Sequence, residues 1–112
     1  MDITTPQQVI SELNRLMDSA QVGIEALYKA EVKVAELDQA YERDLALGLL
    51  NATGNVAERS AHAKIAASDS KLALDISKAE LNRIKAKLRA IDSAQVATSV
   101  ISRQVELMWK NA

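Results

Sequence analysis

Between Pro6 and Gly54 the chain has no further proline and only two glycines, Gly23 and Gly48, while its apolar residues recur mostly at steps of three and four. A helix returns to the same face every 3.6 residues, so this spacing lines those side chains up along one stripe. The stripe runs through Leu13, Met17, Ala20, Ile24 and Leu27, then Val34, Leu37, Tyr41 and Leu45, with one seven-residue step over Glu31. A glycine inside a helix costs about 1 kcal/mol relative to Ala, too little to end so long a segment. The start is marked by Thr5, Pro6 and Gln8, a Thr-x-x-Gln capping box with proline at the first helical position. The spacing therefore predicts one helix over about residues 6–50.

The stripe stops at "NATGN", Asn51 to Asn55. Gly54 suits the left-handed conformation that closes a helix, and Asn55 can cap a new one with Glu58 three residues on. Thr53, Gly54, Asn55 and Glu58 are thus the turn of a helical hairpin. A second helix is predicted over about 56–109. It is Ala-rich at first, carries its larger residues at Ile65, Leu72 and Ile76, and continues through Leu81, Ile84, Leu88, Ile91, Thr98, Ile101, Val105 and Met108. Asp92 and Ser93 are its weakest point, because both could cap a third, shorter helix.

The expected fold is all-α, a single domain over residues 1–112 forming a long antiparallel two-helix hairpin of coiled-coil type. The composition agrees: 26% charged, no Phe, one Trp, one Pro and three Gly, as in long helices rather than a rounded core. Residues 1–50 hold nine acids and four bases, and residues 51–112 hold six acids and ten bases, so the arms are opposite in sign. Folding at Thr53-Gly54 would place residue i opposite 106 − i. Leu45 and Leu49 would then face Ala57 and Ala61, Glu42 would approach Lys64, and Asp18 would approach Lys87 or Arg89.

Several apolar residues lie off the stripes so drawn: Leu16, Val22, Leu47, Leu50, Leu74, Val96, Val100 and Leu107. Each is worth roughly 1.5–3 kcal/mol if buried. Two helices cannot cover them all, so a homo-oligomer is expected, most simply a dimer forming a four-helix bundle over part of its length. In the tail, Val100, Ile101, Val105, Met108 and Trp109 form a broad apolar face. It would pack on Val9 and Ile10, or serve as an oligomer or partner surface.

Candidate chemistry is thin. With no Cys, disulfides and thiolate sites are excluded. His62 is the sole histidine, with Glu58 one turn before it, which reads as an ordinary surface pair. "SDSK", Ser68 to Lys71, has no histidine base beside it. Gly54 stands alone rather than in a phosphate loop. No cofactor, metal or small-molecule substrate is expected, and an enzyme is disfavoured. "MDITTPQQVISEL" lacks a basic and an apolar leader segment, and no apolar run reaches the roughly 20 residues of a membrane span. A cytoplasmic protein is expected.

The strongest charge feature is "SKAELNRIKAKLRA", Ser77 to Ala90, where Lys78, Arg83, Lys85, Lys87 and Arg89 oppose only Glu80. Lys78, Lys85 and Arg89 fall on one flank of the stripe, Arg83 and Lys87 on the other. Such flanking charges meet acidic residues of a neighbouring helix. The alternative is contact with a phosphate backbone, which would make the chain a DNA-binding accessory.

The segments "AELDQAYERDLAL", "NATGN", "AERSAHAKIA" and "LNRIKAKLRAIDS" resemble the small helical-hairpin, coiled-coil proteins of tailed bacteriophages. Those pair an acidic first helix with a Gly-containing turn and an Ala-rich second helix opening on a Glu-Arg pair, here Glu58 and Arg59. The resemblance implies a phage protein made in the bacterial cytoplasm, a non-enzymatic accessory or scaffolding factor in phage DNA metabolism. The secreted WXG-type helical hairpin is a further alternative of similar length. Its Trp-x-Gly turn is missing, since the one Trp is Trp109.

Overall fold

The computed structural model describes residues Thr5 to Asn111, and all secondary structure among them is helical. The elements are α1 (Pro6–Asn51), α2 (Val56–Ala66) and α3 (Ser68–Lys110). At the start of α1 the capping box closes reciprocally. The Gln8 N–H donates to Thr5 Oγ1 at 3.2 Å, and the Thr5 N–H donates to Gln8 Oε1 at 3.1 Å. After Asn51 the Ala52 N–H donates to the Leu49 carbonyl at 3.3 Å, tightening the last turn. Gly54 then takes φ +105°, a backbone conformation that side chains rarely adopt. Asn55 begins α2, its Oδ1 accepting the Glu58 N–H at 2.9 Å while its Nδ2 donates to Glu58 Oε1 at 2.8 Å.

Contacts group the chain into two compact units. One, Leu27–Arg83, contains the turn. The second part of α1 returns there through α2 and the start of α3, an antiparallel hairpin. Its helices come close at Gly48, where an added Cβ would lie 2.9 Å from Ala63 Cα and 3.2 Å from Ala66 Cβ. Ala63 and Ala67 are fully buried against α1, and Leu74 is its largest fully buried side chain. Ser77 is buried as well. Asp44, half-buried, accepts a short hydrogen bond from Ser70 Oγ across the line where the helices meet. Lys71 Nζ lies 5.5 Å from the centre of the Tyr41 ring, a cation–π contact across the same line.

The other unit joins the chain up to Ala26 with Ile84 onward. Val9, Leu16, Thr98 and Val105 are buried in it, and Leu88 occupies the space that a side chain at position 23 would need.

A strict seven-residue repeat runs through the buried and half-buried positions. In α1 it is 9, 16 and 23 with 13 and 20 in one unit, then 30, 37 and 44 with 27, 34, 41 and 48 in the other. In α2 and α3 it is 63, 70 and 77 with 60, 67, 74 and 81, then 84, 91, 98 and 105 with 88, 95 and 102. Alternating steps of three and four are the helix-pairing pattern of coiled coils.

Four expectations are corrected. First, Leu16 and Leu74 lie on the helix contact line, not off it, while Met17, Ile24, Ile65, Leu72, Ile76 and Met108 are more than half exposed. Leu13, Ala20, Leu27, Val34, Leu37 and Tyr41, and Leu81, Ile84, Leu88, Ile91, Thr98 and Val105, do lie on the line; where it is filled by Gly, Ala and Ser, the large side chains mark the outer face instead. Second, the second helix is not continuous. Ala67, at φ −97° and ψ 7°, separates α2 from α3, and the Ser68 hydroxyl donates to the Ile65 carbonyl at 2.8 Å. Ser and Thr side chains that bond back to the preceding turn compete with the helix ladder in this way. The ladder still spans the join through Ala67 N–H to the Ala63 carbonyl and Lys71 N–H to the Ala67 carbonyl. Asp92 and Ser93, by contrast, sit inside an unbroken α3.

Third, the register differs from 106 − i: Gly48 meets Ala63 and Gly23 meets Leu88, pairs that each sum to 111. Val56 to Arg59 are all exposed, so the first turn of α2 passes before any residue meets α1. Leu49 and Ala57 accordingly do not pack together as expected; both are exposed. Fourth, the pairings of Glu42 with Lys64 and of Asp18 with Lys87 or Arg89 are not formed. The ion pairs among the described residues join neighbours within one helix: Glu12–Arg15, Arg43–Asp44, Lys71–Asp75 and Glu106–Lys110.

The contact line makes a paired prediction. Leu74→Ala is expected to cost about 2–5 kcal/mol, while Leu72→Ala, two residues away on the outer face, should change stability by less than about 0.5 kcal/mol. Denaturant titration of each variant followed by circular dichroism measures both; equal losses would contradict the assigned line.

Candidate functional site

The turn residues are brought together as a structural device. Gly54, Asn55 and Glu58 form one cluster in which the Glu58 carboxylate sits where a Cβ at position 54 would fall. Thr53 is exposed beside it. Arg59 donates its N–H to the Asn55 carbonyl at 2.9 Å, the first bond of α2. Glu58 thus completes the cap of a helix N-terminus, where its charge also suits the helix dipole.

The residues weighed for chemistry are not assembled for it. His62 is exposed on α2. In Ser68 to Lys71 each polar side chain but that of Asp69 has a structural partner: Ser68 the Ile65 carbonyl, Ser70 the Asp44 carboxylate, and Lys71 the Asp75 carboxylate at 3.2 Å. Among the described residues no group of three or more His, Cys, Asp or Glu could hold a metal ion. No helix among them is long and apolar enough to cross a membrane. The shifted titrating pair is Glu12 and Arg15. The Arg15 guanidinium, 2.5 Å away, hydrogen-bonds the Glu12 carboxylate and holds it below the usual carboxylate range. The same hydrogen bond raises Arg15. This is a pair one turn apart on α1, with Arg15 exposed and Glu12 half-buried beneath it.

Of the basic residues, Lys78 and Arg83 belong to the unit that contains the turn, and Lys85, Lys87 and Arg89 to the other. All five are exposed on α3. Among the described residues none forms an ion pair with an acid of α1. Lys87 does share a groove with Asp18.

The tail residues divide by direction. Val105 is buried and Ile101 half-buried, whereas Val100, Met108 and Trp109 are more than half exposed. Val105 and Trp109 form one wall of a groove of about 410 Å³, and Val9, Ile10 and Leu13 form the other. The tail therefore lies along the start of α1, as one of the two sequence readings has it. A second groove, of about 360 Å³, opens beside Gly23 between Val22 and Ala26 on α1 and Lys87 and Ile91 on α3. The sequence pattern does not announce it. Its one trace there is a glycine at a position where the seven-residue repeat calls for a side chain.

Comparison of the chain with protein-family models, with curated proteins and with solved structures found no match in any of the three.

The turn cluster is expected to respond to single changes. Asn55→Ala should cost about 1 kcal/mol through loss of the cap. Gly54→Ala should cost about as much or more, because the added methyl combines an unfavourable φ with the Glu58 contact. Thermal melts of the two variants beside Thr53→Ala, expected to be near neutral, check this ranking.

Proposed function

We propose that the protein is a non-enzymatic helical interaction and scaffolding module that works as a homo-oligomer. The observation carrying this reading is the amount of large apolar surface left outward. Val22, Ile24, Met17 and Ile10 in one unit, and Val56, Ile65, Leu50 and Leu72 in the other, are each more than half exposed. Outward apolar rows on a helical chain are a means of association, since each further side chain removed from water adds to the driving force. A bundle of four helices, two from each copy, is the simplest assembly that covers such rows. The phage setting, an accessory role in DNA metabolism within a bacterial cytoplasm, is supported by the sequence resemblance alone and belongs to the same proposal.

A second reading is contact with DNA through Lys78, Arg83, Lys85, Lys87 and Arg89. It is favoured by their shared exposure and by the lack of α1 ion-pair partners among the described residues. Binding of that kind would weaken steeply with salt, because it depends on release of counterions from the phosphates.

Two measurements test these readings. Size exclusion with light scattering on the full chain should give a mass at least twice that of one copy at micromolar concentration. A monodisperse, folded monomer would overturn the oligomer. Gel shift at low salt with single- and double-stranded DNA should show binding that Lys85→Glu with Arg89→Glu abolishes; no shift with either DNA removes the second reading.

A further inference from the structure

In the unit Leu27–Arg83 one flank of the hairpin is formed by the residues that directly precede contact-line positions. On α1 these are Lys33, Ala40 and Leu47, before Val34, Tyr41 and Gly48. On α2 and α3 they are Ala66, Ala73 and Glu80, before Ala67, Leu74 and Leu81. In an antiparallel helix pair two such rows run side by side on the same face. The space beside Gly48 agrees, since an added Cβ there would lie 3.2 Å from Ala66 Cβ. The inner rows of this face are alanine and leucine except for one base, Lys33, and one acid, Glu80. These two stand at nearly one level: their positions sum to 113, against 111 for Gly48 with Ala63. Both are exposed, and among the described residues neither forms an ion pair.

We propose that this face is the dimer interface, and that its occupant is the same face of a second copy, related by a two-fold axis parallel to the helices with both turns at one end. This rests on the oligomer reading and names its surface. Charge selects the occupant. A face with a base on α1 and an acid on α3 at one level is its own complement once α1 of each copy lies over α3 of the other. An axis of this direction permits no slide along the helices, because a slide would break the symmetry. The second copy's α1 therefore meets α3 in the same register as the chain's own α1. Lys33 then faces the second copy's Glu80, Ala40 meets Ala73, and Leu47 meets Ala66. With the turns at opposite ends α1 would lie on α1, and nothing in the symmetry would bring Lys33 to Glu80.

The rest of the face fits this arrangement. Alanine on alanine lets helices of the two copies approach at the near end of the 8–10 Å range. On the outer rows the same register brings Arg43 over the second copy's Asp69, the one polar side chain of Ser68 to Lys71 left without a structural partner. Leu47, Leu50 and Ile76, exposed in the single chain, become covered. Lys29 comes beside the second copy's Arg83, a like-charged opposition at the rim, where salt and water screen it. From Leu27 to Asn51 the unit's first helix segment is about 37 Å long, and two helix diameters span about 20 Å. The face therefore projects on the order of 740 Å², close to the ~800 Å² per partner of a standard interface. Being the same patch on both copies, the contact closes as a dimer and does not extend into a filament.

Light scattering and circular dichroism on the full chain test this interface. Lys33→Glu leaves only acids where the inner charges of two copies meet, and Glu80→Lys leaves only bases. Either variant alone should stay as helical as the parent while its mass falls from that of two copies to that of one. Mixing the two should restore a dimer, and a chain carrying both changes should dimerise by itself. Cysteine crosslinking gives a second readout that does not depend on the charge variants, because the chain has no cysteine of its own. Ala40→Cys mixed with Ala73→Cys should crosslink between chains under mild oxidation, whereas Ala40→Cys alone should not. A parent chain that is monomeric removes both this interface and the oligomer reading. A parent that is oligomeric, with both charge variants equally oligomeric or with Ala40→Cys crosslinking to itself in place of Ala73→Cys, overturns this interface alone.

Discussion

Close approach of two helix backbones is the constraint on which the rest of this structure depends. At Gly48 the backbone of α1 lies against Ala63, too near for even a methyl group. Two helices that touch in this way bury Ala63 and Ala67 completely, although neither residue has much apolar surface of its own. What they gain comes from packing rather than from large hydrophobic area, since dispersion attraction falls off within an ångström of contact. The larger apolar residues are thereby released from the job of holding the pair together, and many of them stand outward.

That division of labour explains which parts of the fold are legible in the amino acids. Helix starts and the turn depend on local chemistry, so Thr5 with Gln8, and Gly54 with Asn55 and Glu58, can be read from the chain and are found as hydrogen-bonded caps. The contact line depends on the fit between distant residues, and side-chain size finds it at Leu27, Leu37 and Leu88 but misplaces it where small residues fill it. Size points to Met17, Ile24 and Leu72, while the structure uses Leu16, Gly23 and Leu74. In a chain rich in alanine, a regular spacing of small side chains carries as much information about pairing as the leucines do. The interruption at Ala67 is illegible for a related reason. Neither alanine nor the following serine breaks a helix by propensity, and the Ser68 bond to the Ile65 carbonyl is visible only in the fold.

The candidate site is legible to the same degree. The lack of cysteine excludes disulfide and thiolate chemistry by composition alone. The basic residues of α3 emerge from counting, yet their relation to α1 does not, because a register error of about five residues moves every cross-helix pairing by more than a turn. The tail divides in a way that no one-dimensional pattern separates: Val105 turns inward and Met108 outward, three residues apart.

A repeat of seven residues has a weakness, which is that it matches itself when displaced by one period. Leucine against leucine looks much the same after such a slide. Asp44 and Ser70 do not, for a slide in one direction would exchange the hydroxyl for the methyl of Ala63 and strand a carboxylate between helices. Gly23 does the same service for the other unit, since only one alignment gives Leu88 an empty place to enter. Each unit so bears its own index mark, like the pin that keeps a toothed belt from skipping.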